Sequence, residues 1–267
     1  MHRRTQIATL ALTALIVVPA LSLAARTQRT TPATSPQLKA QISALGKSAK
    51  RLSAAQKGAV QSRLASGTQD VKIDMSAKSL FSSAATDQAA IITYFATQKL
   101  ASMKVGLQII DKPLPAFIKD LRFVGSLYED TPIASVANDT ADNMEKGPYD
   151  IEKAKKNVDV MITAIGRAAD KSGTGAMYHF ESGFNVGVTL MVSNLLEVDS
   201  LEMKKVGRDL LKSNMAEAGK IVAGAPSEVD ADIKTAFTTY SQAKITDSDS
   251  ASEAVDPLNK VYVGKLN

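Results

Sequence analysis

The residues best suited to chemistry surround His179, the one histidine of this 267-residue chain beyond the first 24 positions. It lies in the run Tyr178-His179-Phe180-Glu181, inside a predicted helix. An axial histidine, paired with a methionine across a helical bundle, could hold haem b without a covalent attachment. The alternative is a partly buried histidine bonded to a backbone group or a carboxylate, with the methionines filling gaps in a tryptophan-free core. We expect no cofactor, and haem b stands as the alternative.

Two glycines follow one helical turn apart, at Gly183 and Gly187. Each glycine costs about 1 kcal/mol of helix stability relative to alanine, so the pair predicts an offsetting contact. Glycines at this spacing present a flat groove, which either admits another helix or holds a small ligand such as haem or a lipid. Ser102 and Gly106 have the same spacing on another predicted helix and could face this groove. The candidate ligand-binding residues are therefore Tyr178, His179, Phe180, Gly183 and Gly187.

Other chemistries find little support in the residue types. The chain has no cysteine, which excludes disulfides, thiolate catalysis, cysteine-ligated zinc and covalent haem attachment. Asp139, Asp142 and Glu145 could share a helical face around a cation, or could simply be solvated. The segment 247–253 resembles the start of a calcium loop but has neither the glycine at position six nor the acid at position twelve, so it indicates a helix cap. We predict no catalytic residue and no metal site.

The N-terminus has the three parts of a secretory signal. Two arginines precede an apolar run over 7–18, and Pro19 and the small residues Ser22 and Ala24 follow. This pattern predicts cleavage after Ala24 and an exported protein, periplasmic or secreted. A retained membrane anchor is the alternative, because residues 7–25 carry no charge and could just span a bilayer. No later segment is long enough for a membrane span.

Charge is distributed unevenly along the chain, whose formal net charge is +5. Residues 25–80 hold ten lysines and arginines against Asp70 and Asp74, whereas the remainder is mildly acidic. This basic arm indicates either contact with an anionic lipid or envelope polymer, or a solvated helix face that docks on the acidic body. Binding to nucleic acid is not expected, because no aromatic residues are interleaved with the basic ones.

The spacing of apolar residues predicts helices throughout. A Thr/Pro-rich linker over 25–35 precedes either one helix over 36–66 or two. Further helices are expected with breaks at proline and glycine, and 129–147 is expected to be a long connection with one short helix. The predicted helices are 87–110, 116–128, 150–169, 176–198, 199–218, 226–244 and a short one within 248–267 that leaves 261–263 as a tail.

These segments predict an all-α fold, an up-and-down bundle of six to eight helices in a single domain over 36–267 with a basic helical arm at 36–80. The two longest helices start 89 residues apart, each followed by a shorter amphipathic helix, which suggests a duplicated hairpin. We expect an exported bundle with a non-enzymatic binding role toward a protein or envelope partner. The alternatives are a bundle that carries a small ligand, haem or lipid, and an enzyme built from dispersed carboxylates and hydroxyls.

Overall fold

The computed structural model describes residues 86–110 and 112–265, and this part of the chain is all-α. It is 82% helical, with eight α-helices and no strand, which confirms the predicted fold class and the upper end of the predicted helix number. The predicted signal, linker and basic arm, with the helices expected over 36–66, lie outside these residues. The helices are α1 (Thr86–Ile109), α2 (Pro115–Leu127), α3 (Pro132–Lys146), α4 (Ile151–Ser172), α5 (Thr174–Ser193), α6 (Leu201–Ala223), α7 (Ala231–Ser241) and α8 (Ser248–Gly264).

The centre of the bundle is formed by α1 and α5, which pack side by side and run in the same direction. Gly183 of α5 lies against Tyr94 of α1, and one turn later Gly187 lies against Gln98. Nearly every residue of α5 from Met177 to Ser193 is buried, so this helix has no solvent-facing stripe, as expected of a helix in a core. The remaining helices surround this pair and share one hydrophobic core with it.

Neighbouring helices in sequence are mostly antiparallel, because the connections between them are short. Between α4 and α5 the connection is Gly173 alone, with φ 117° and ψ −173°, a conformation essentially restricted to glycine. Gly166, two turns earlier on α4, contacts the ring of Phe180 on α5. Gly175, which the predicted helix 176–198 left outside, lies inside α5.

Residues 129–147 differ most from the prediction of a long connection with one short helix, because Pro132–Lys146 form the 15-residue helix α3. Pro132 occupies the first turn, and the Thr131 side chain accepts a hydrogen bond from the backbone N–H of Ala134 at 3.4 Å. Its buried face consists mainly of alanines and one methionine, Ala134, Ala137, Ala141 and Met144. Small side chains give a weak apolar pattern, although they pack closely against a neighbouring helix.

Several helix ends also differ from the predictions. α5 ends at Ser193 and continues as a 3₁₀ turn over Asn194–Leu196, and α6 extends to Ala223. α7 begins at Ala231, because Asp230 accepts hydrogen bonds from the N–H groups of Asp232 and Ile233, and it ends at Ser241. The last helix is longer than expected and includes 261–263. The other ends lie within three residues of their predicted positions.

The helix lengths do not follow the pattern on which the suggested duplication was based, a long helix followed by a shorter one in each half. α1 has 24 residues and is followed by a helix of 13, whereas α5 has 20 and is followed by a helix of 23. Within the described residues, none of the helices has the combination of length and apolar character needed to cross a membrane.

Candidate functional site

The groove predicted at Gly183 and Gly187 is filled by another helix. A Cβ atom added to Gly183 would meet backbone atoms of Tyr94, and one added to Gly187 would lie 3.0 Å from the Gln98 carbonyl carbon and 2.9 Å from Ala101 Cβ. The two backbones therefore approach so closely that only glycine fits on the α5 side. Of the two interpretations offered by the sequence, the geometry matches close helix packing.

The second pair of small residues, Ser102 and Gly106, divides between two neighbours. The Ser102 hydroxyl donates a hydrogen bond to the carbonyl oxygen of Gly187 at 2.8 Å, which ties α1 to α5 at the crossing. Gly106 faces the ring of Phe117 on α2 as well as Met191 on α5. Ser102 therefore faces Gly187 as predicted, whereas Gly106 makes room for the ring of Phe117.

His179 lies at the junction of α5 and α8 and is 7% exposed. Its Nδ1 atom is 2.7 Å from the Tyr262 hydroxyl, a hydrogen bond between residues 83 positions apart. The rings of Tyr178 and Tyr262 both meet the imidazole edge to face, with centroids 5.7 Å away. These contacts give the imidazole a role in joining helices, and the haem b alternative stays a prediction.

The same junction continues into α1 through stacked tyrosines. The rings of Tyr94 and Tyr262 are parallel within 8° at a centroid distance of 3.8 Å. Asn259 accepts hydrogen bonds at Oδ1 from the Tyr94 hydroxyl at 3.0 Å and from Gln98 Nε2 at 3.2 Å. Burial raises the pKa of both tyrosines well above the usual value, with a smaller contribution from the neighbouring tyrosines. This polar cluster joins α1, α5 and α8.

The remaining predicted residues, Tyr178 and Phe180, are buried on opposite sides of α5. The Tyr178 ring packs edge to face against Phe237 of α7, with centroids 5.9 Å apart, and burial raises its pKa. Phe180 contacts Gly166 of α4. The five residues proposed from the sequence therefore occupy one stretch of α5 but contact different helices.

A second polar cluster, which the sequence analysis missed, joins α5 to α6 and α7. The side-chain nitrogen of Asn185 donates a hydrogen bond to the backbone carbonyl oxygen of Asn214 at 2.9 Å. The side-chain nitrogen of Asn214 donates in turn to the backbone carbonyl oxygen of Asn185 at 2.8 Å. Asn214 also donates to the Thr189 hydroxyl at 2.7 Å, and the Tyr240 hydroxyl donates to Asn185 Oδ1 at 2.8 Å. All four residues are at most 1% exposed. Because the hydrogen bonds are reciprocal, this cluster specifies the register of the two helices.

Charged groups of α1 are buried against two neighbouring helices. Lys104, 3% exposed, pairs with Asp159 of α4 at 2.7 Å, and Lys99 pairs with Asp120 of α2 at 3.1 Å. Burial lowers the Lys104 pKa, and Asp159 partly restores it. Such pairs add little net stability, because the cost of removing the charges from water offsets their attraction.

Two of the three carboxylates on α3 that were considered as metal ligands have other partners. Asp142 and Glu145 both bind Arg122, and Asp142 also pairs with Lys146 at 3.0 Å. The Arg122 and Lys146 side chains lower the Asp142 pKa. Asp247 caps α8 in a reciprocal arrangement with Ser250, as the capping interpretation predicted. In the described part of the chain, no group of three or more potential ligands could hold a metal ion.

The solvent-facing side of α4 carries a row of cations, which we call the α4 basic face. Lys153, Lys156, Arg167 and Lys171 are all exposed and recur at spacings that place them on one side of the helix. Val160, 47% exposed, lies in the middle of the row and is one of two exposed large apolar side chains among the described residues. From the first lysine to the last, the row is about 27 Å long.

The acidic residues of α4 form a separate row. Glu152, Asp159 and Asp170 follow one another at spacings of 7 and 11, which keeps them on one flank of the helix. Glu152 pairs with Lys155 at 2.7 Å, and Asp159 pairs with the buried Lys104. Within residues 86–110 and 112–265, none of the four cations of the α4 basic face forms an ion pair. Their charges are therefore available to an external partner.

Comparison with known proteins gives no relative: the chain matches no protein-family model, no curated protein and no solved structure.

Proposed function

We propose that this chain is an exported helical-bundle protein with a non-enzymatic binding role in the cell envelope or outside the cell, and that the α4 basic face binds an anionic lipid surface there. Export is supported by the arginine-led apolar start of the chain and the small residues around Ala24. A structural role for His179, the side chain best suited to catalysis, is supported by its hydrogen bond to Tyr262, which joins α5 to α8.

The observation that carries the proposal is the α4 basic face. A straight row of cations about 27 Å long fits a planar surface better than a globular partner. Each lysine or arginine near an anionic bilayer contributes about 1 kcal/mol, and the attraction weakens as salt is added. Val160, in the middle of the row, can reach the acyl boundary while the long side chains on either side keep their charges at the headgroups.

Cosedimentation with vesicles tests the proposal. The exported chain should bind vesicles of phosphatidylglycerol and phosphatidylcholine mixed, bind them less as salt rises, and leave pure phosphatidylcholine unbound. Replacing the α4 cations by glutamine should weaken binding by about two orders of magnitude or more. The substituted residues are Lys153, Lys156, Arg167 and Lys171.

A matched control is available on α6, where three lysines and one arginine can be replaced, with Asp209 among them. The control residues are Lys204, Lys205, Arg208 and Lys212. Both variants remove the same net charge. If vesicles respond only to the overall positive charge of the chain, to which the basic arm contributes, binding therefore falls equally in the two variants. An equal loss in both variants, or no loss in the α4 variant, would refute a specific role for the α4 basic face.

A further inference from the structure

A pocket of about 280 Å³ lies at the corner where α3 turns into α4. Its volume is near the lower end of the usual range for ligand sites, about 300–1,000 Å³, which suits a ligand the size of one sugar ring. Apolar surface is provided by the buried side chains of Met144 and Ala154 and by the half-buried ring of Tyr149. The pocket thus offers an apolar wall on which a flat face could rest.

Polar groups of several kinds occupy the rest of the lining. Asn143 and Lys153 are exposed and free to adapt, whereas Asn157 and Asp150 are held in place. Asn157 donates its amide hydrogen to the Thr140 hydroxyl at 2.8 Å, and Asp150 accepts from the Lys153 backbone N–H at 3.0 Å as the cap of α4. The pocket therefore combines an acceptor, a donor and amides that do both.

The charges of the pocket indicate which ligand it suits. One carboxylate and one ammonium group line it, so its formal charge is zero, in contrast to the α4 basic face that begins at Lys153. A free anion gains little from such a balanced site, because Asp150 opposes what Lys153 attracts. A neutral ligand with many hydroxyls satisfies both charged groups and the amides, since each hydroxyl can donate and accept.

We infer that this pocket binds a neutral polyhydroxylated ligand, a single sugar ring of the hexose type. The C–H face of the ring rests on Tyr149 and Met144, and its hydroxyls meet Asp150, Lys153 and Asn143. The pocket shares Lys153 with the α4 basic face, but Asn143, Tyr149 and Asp150 belong to the pocket alone, so the two roles can be tested separately.

Ligand-observed NMR on the full chain tests this assignment, with glucose and N-acetylglucosamine as probes and glycerol as the reference without a ring. At least one sugar should show saturable binding that glycerol does not match. Asn143→Ala should weaken that binding about tenfold or more, because hydrogen bonds to the hydroxyls are lost. Ser172→Ala, at the far end of α4 and outside the pocket, should leave it unchanged.

Circular dichroism establishes that both variants remain folded. The absence of saturable binding by either sugar overturns the assignment, as does glycerol binding with equal affinity or an unchanged affinity in Asn143→Ala. Since Asn143→Ala changes no charge, this variant should still bind vesicles, whether or not it loses the sugar. A failure of the sugar-binding proposal can therefore be distinguished from a failure of the lipid-binding proposal.

Discussion

Adding one methyl group at Gly187 tests whether the close approach of α1 and α5 determines the stability of the fold. In Gly187→Ala the new Cβ atom would overlap the Gln98 carbonyl group and lie 2.9 Å from Ala101 Cβ. These neighbours belong to a helix backbone and to a side chain with no rotamer to change. The two helices must therefore move apart, and the Ser102 hydrogen bond to the Gly187 carbonyl is stretched as they do.

The size of the effect follows from two opposing terms. Overpacking of a core costs about 1–3 kcal/mol, and the better helix propensity of alanine returns about 1 kcal/mol. We expect a net loss of about 1–2 kcal/mol in the free energy of unfolding, which lowers Tm by about 2–8 °C for a chain of this size. Gly183→Ala should behave alike, since its new Cβ meets the backbone of Tyr94.

Gly219 on α6 provides the matched control, because a Cβ atom added there meets nothing within 4 Å. Gly219→Ala should therefore raise stability by about 0.5–1 kcal/mol through helix propensity alone. Thermal unfolding followed by circular dichroism measures all three variants, together with the double variant at Gly183 and Gly187. The double variant should lose less than the sum of the single losses, because one displacement of α1 relieves both contacts. If Gly187→Ala raised Tm as Gly219→Ala does, the packing argument would be wrong.

Three further predictions concern other parts of the fold. Asn214→Ala should lower the free energy of unfolding by about 3 kcal/mol, since it removes the hydrogen bonds that the Asn214 side chain donates to the buried Asn185 backbone carbonyl and Thr189 hydroxyl; urea unfolding measures this, and a loss below 1 kcal/mol would contradict it. Burial keeps Tyr94 and Tyr262 protonated in the folded chain, whereas the unfolded chain releases these protons near pH 10. The free energy of unfolding should therefore be constant below about pH 10 and decrease above it, and the decrease should be less steep in Tyr262→Phe; chemical unfolding repeated across this pH range measures both. Gly173→Ala should cost about 1–3 kcal/mol because of the backbone conformation between α4 and α5, and an unchanged Tm would argue against that conformation.

The helices were predictable where large apolar residues recur with helical spacing. α4 is an example, since Val158, Met161 and Ile165 mark its buried face and Asp150 caps it. α3 was missed because alanines form most of its buried face, and alanine is common on exposed helix surfaces too. A proline in the first turn, Pro132, was the available signal, but it also fits a loop.

The site residues were predictable as a buried segment and not as a functional arrangement. Gly183 and Gly187 predicted a close contact, because the helix stability that two glycines lose requires a compensating interaction. Their spacing does not identify the partner helix. Asn185 and Asn214 gave no local signal, because a polar residue within a helix is satisfied only by a partner distant in sequence. The α4 basic face was visible as lysines away from the apolar stripe, but their lack of ion pairs required coordinates.

The α1–α5 crossing also has a consequence for folding kinetics. The hydrogen bond from Ser102 to Gly187 joins residues 85 positions apart, and that from Tyr94 to Asn259 joins residues 165 apart. Helical bundles usually fold fast because their contacts are local, whereas each distant contact requires a long loop to close first. We expect stopped-flow refolding to be slower than is typical of helical bundles, with α1 among the last helices to dock. While the chain is being synthesised, the apolar sides of α1 stay uncovered until α5 and α8 follow, and this interval is when the protein is most prone to aggregate.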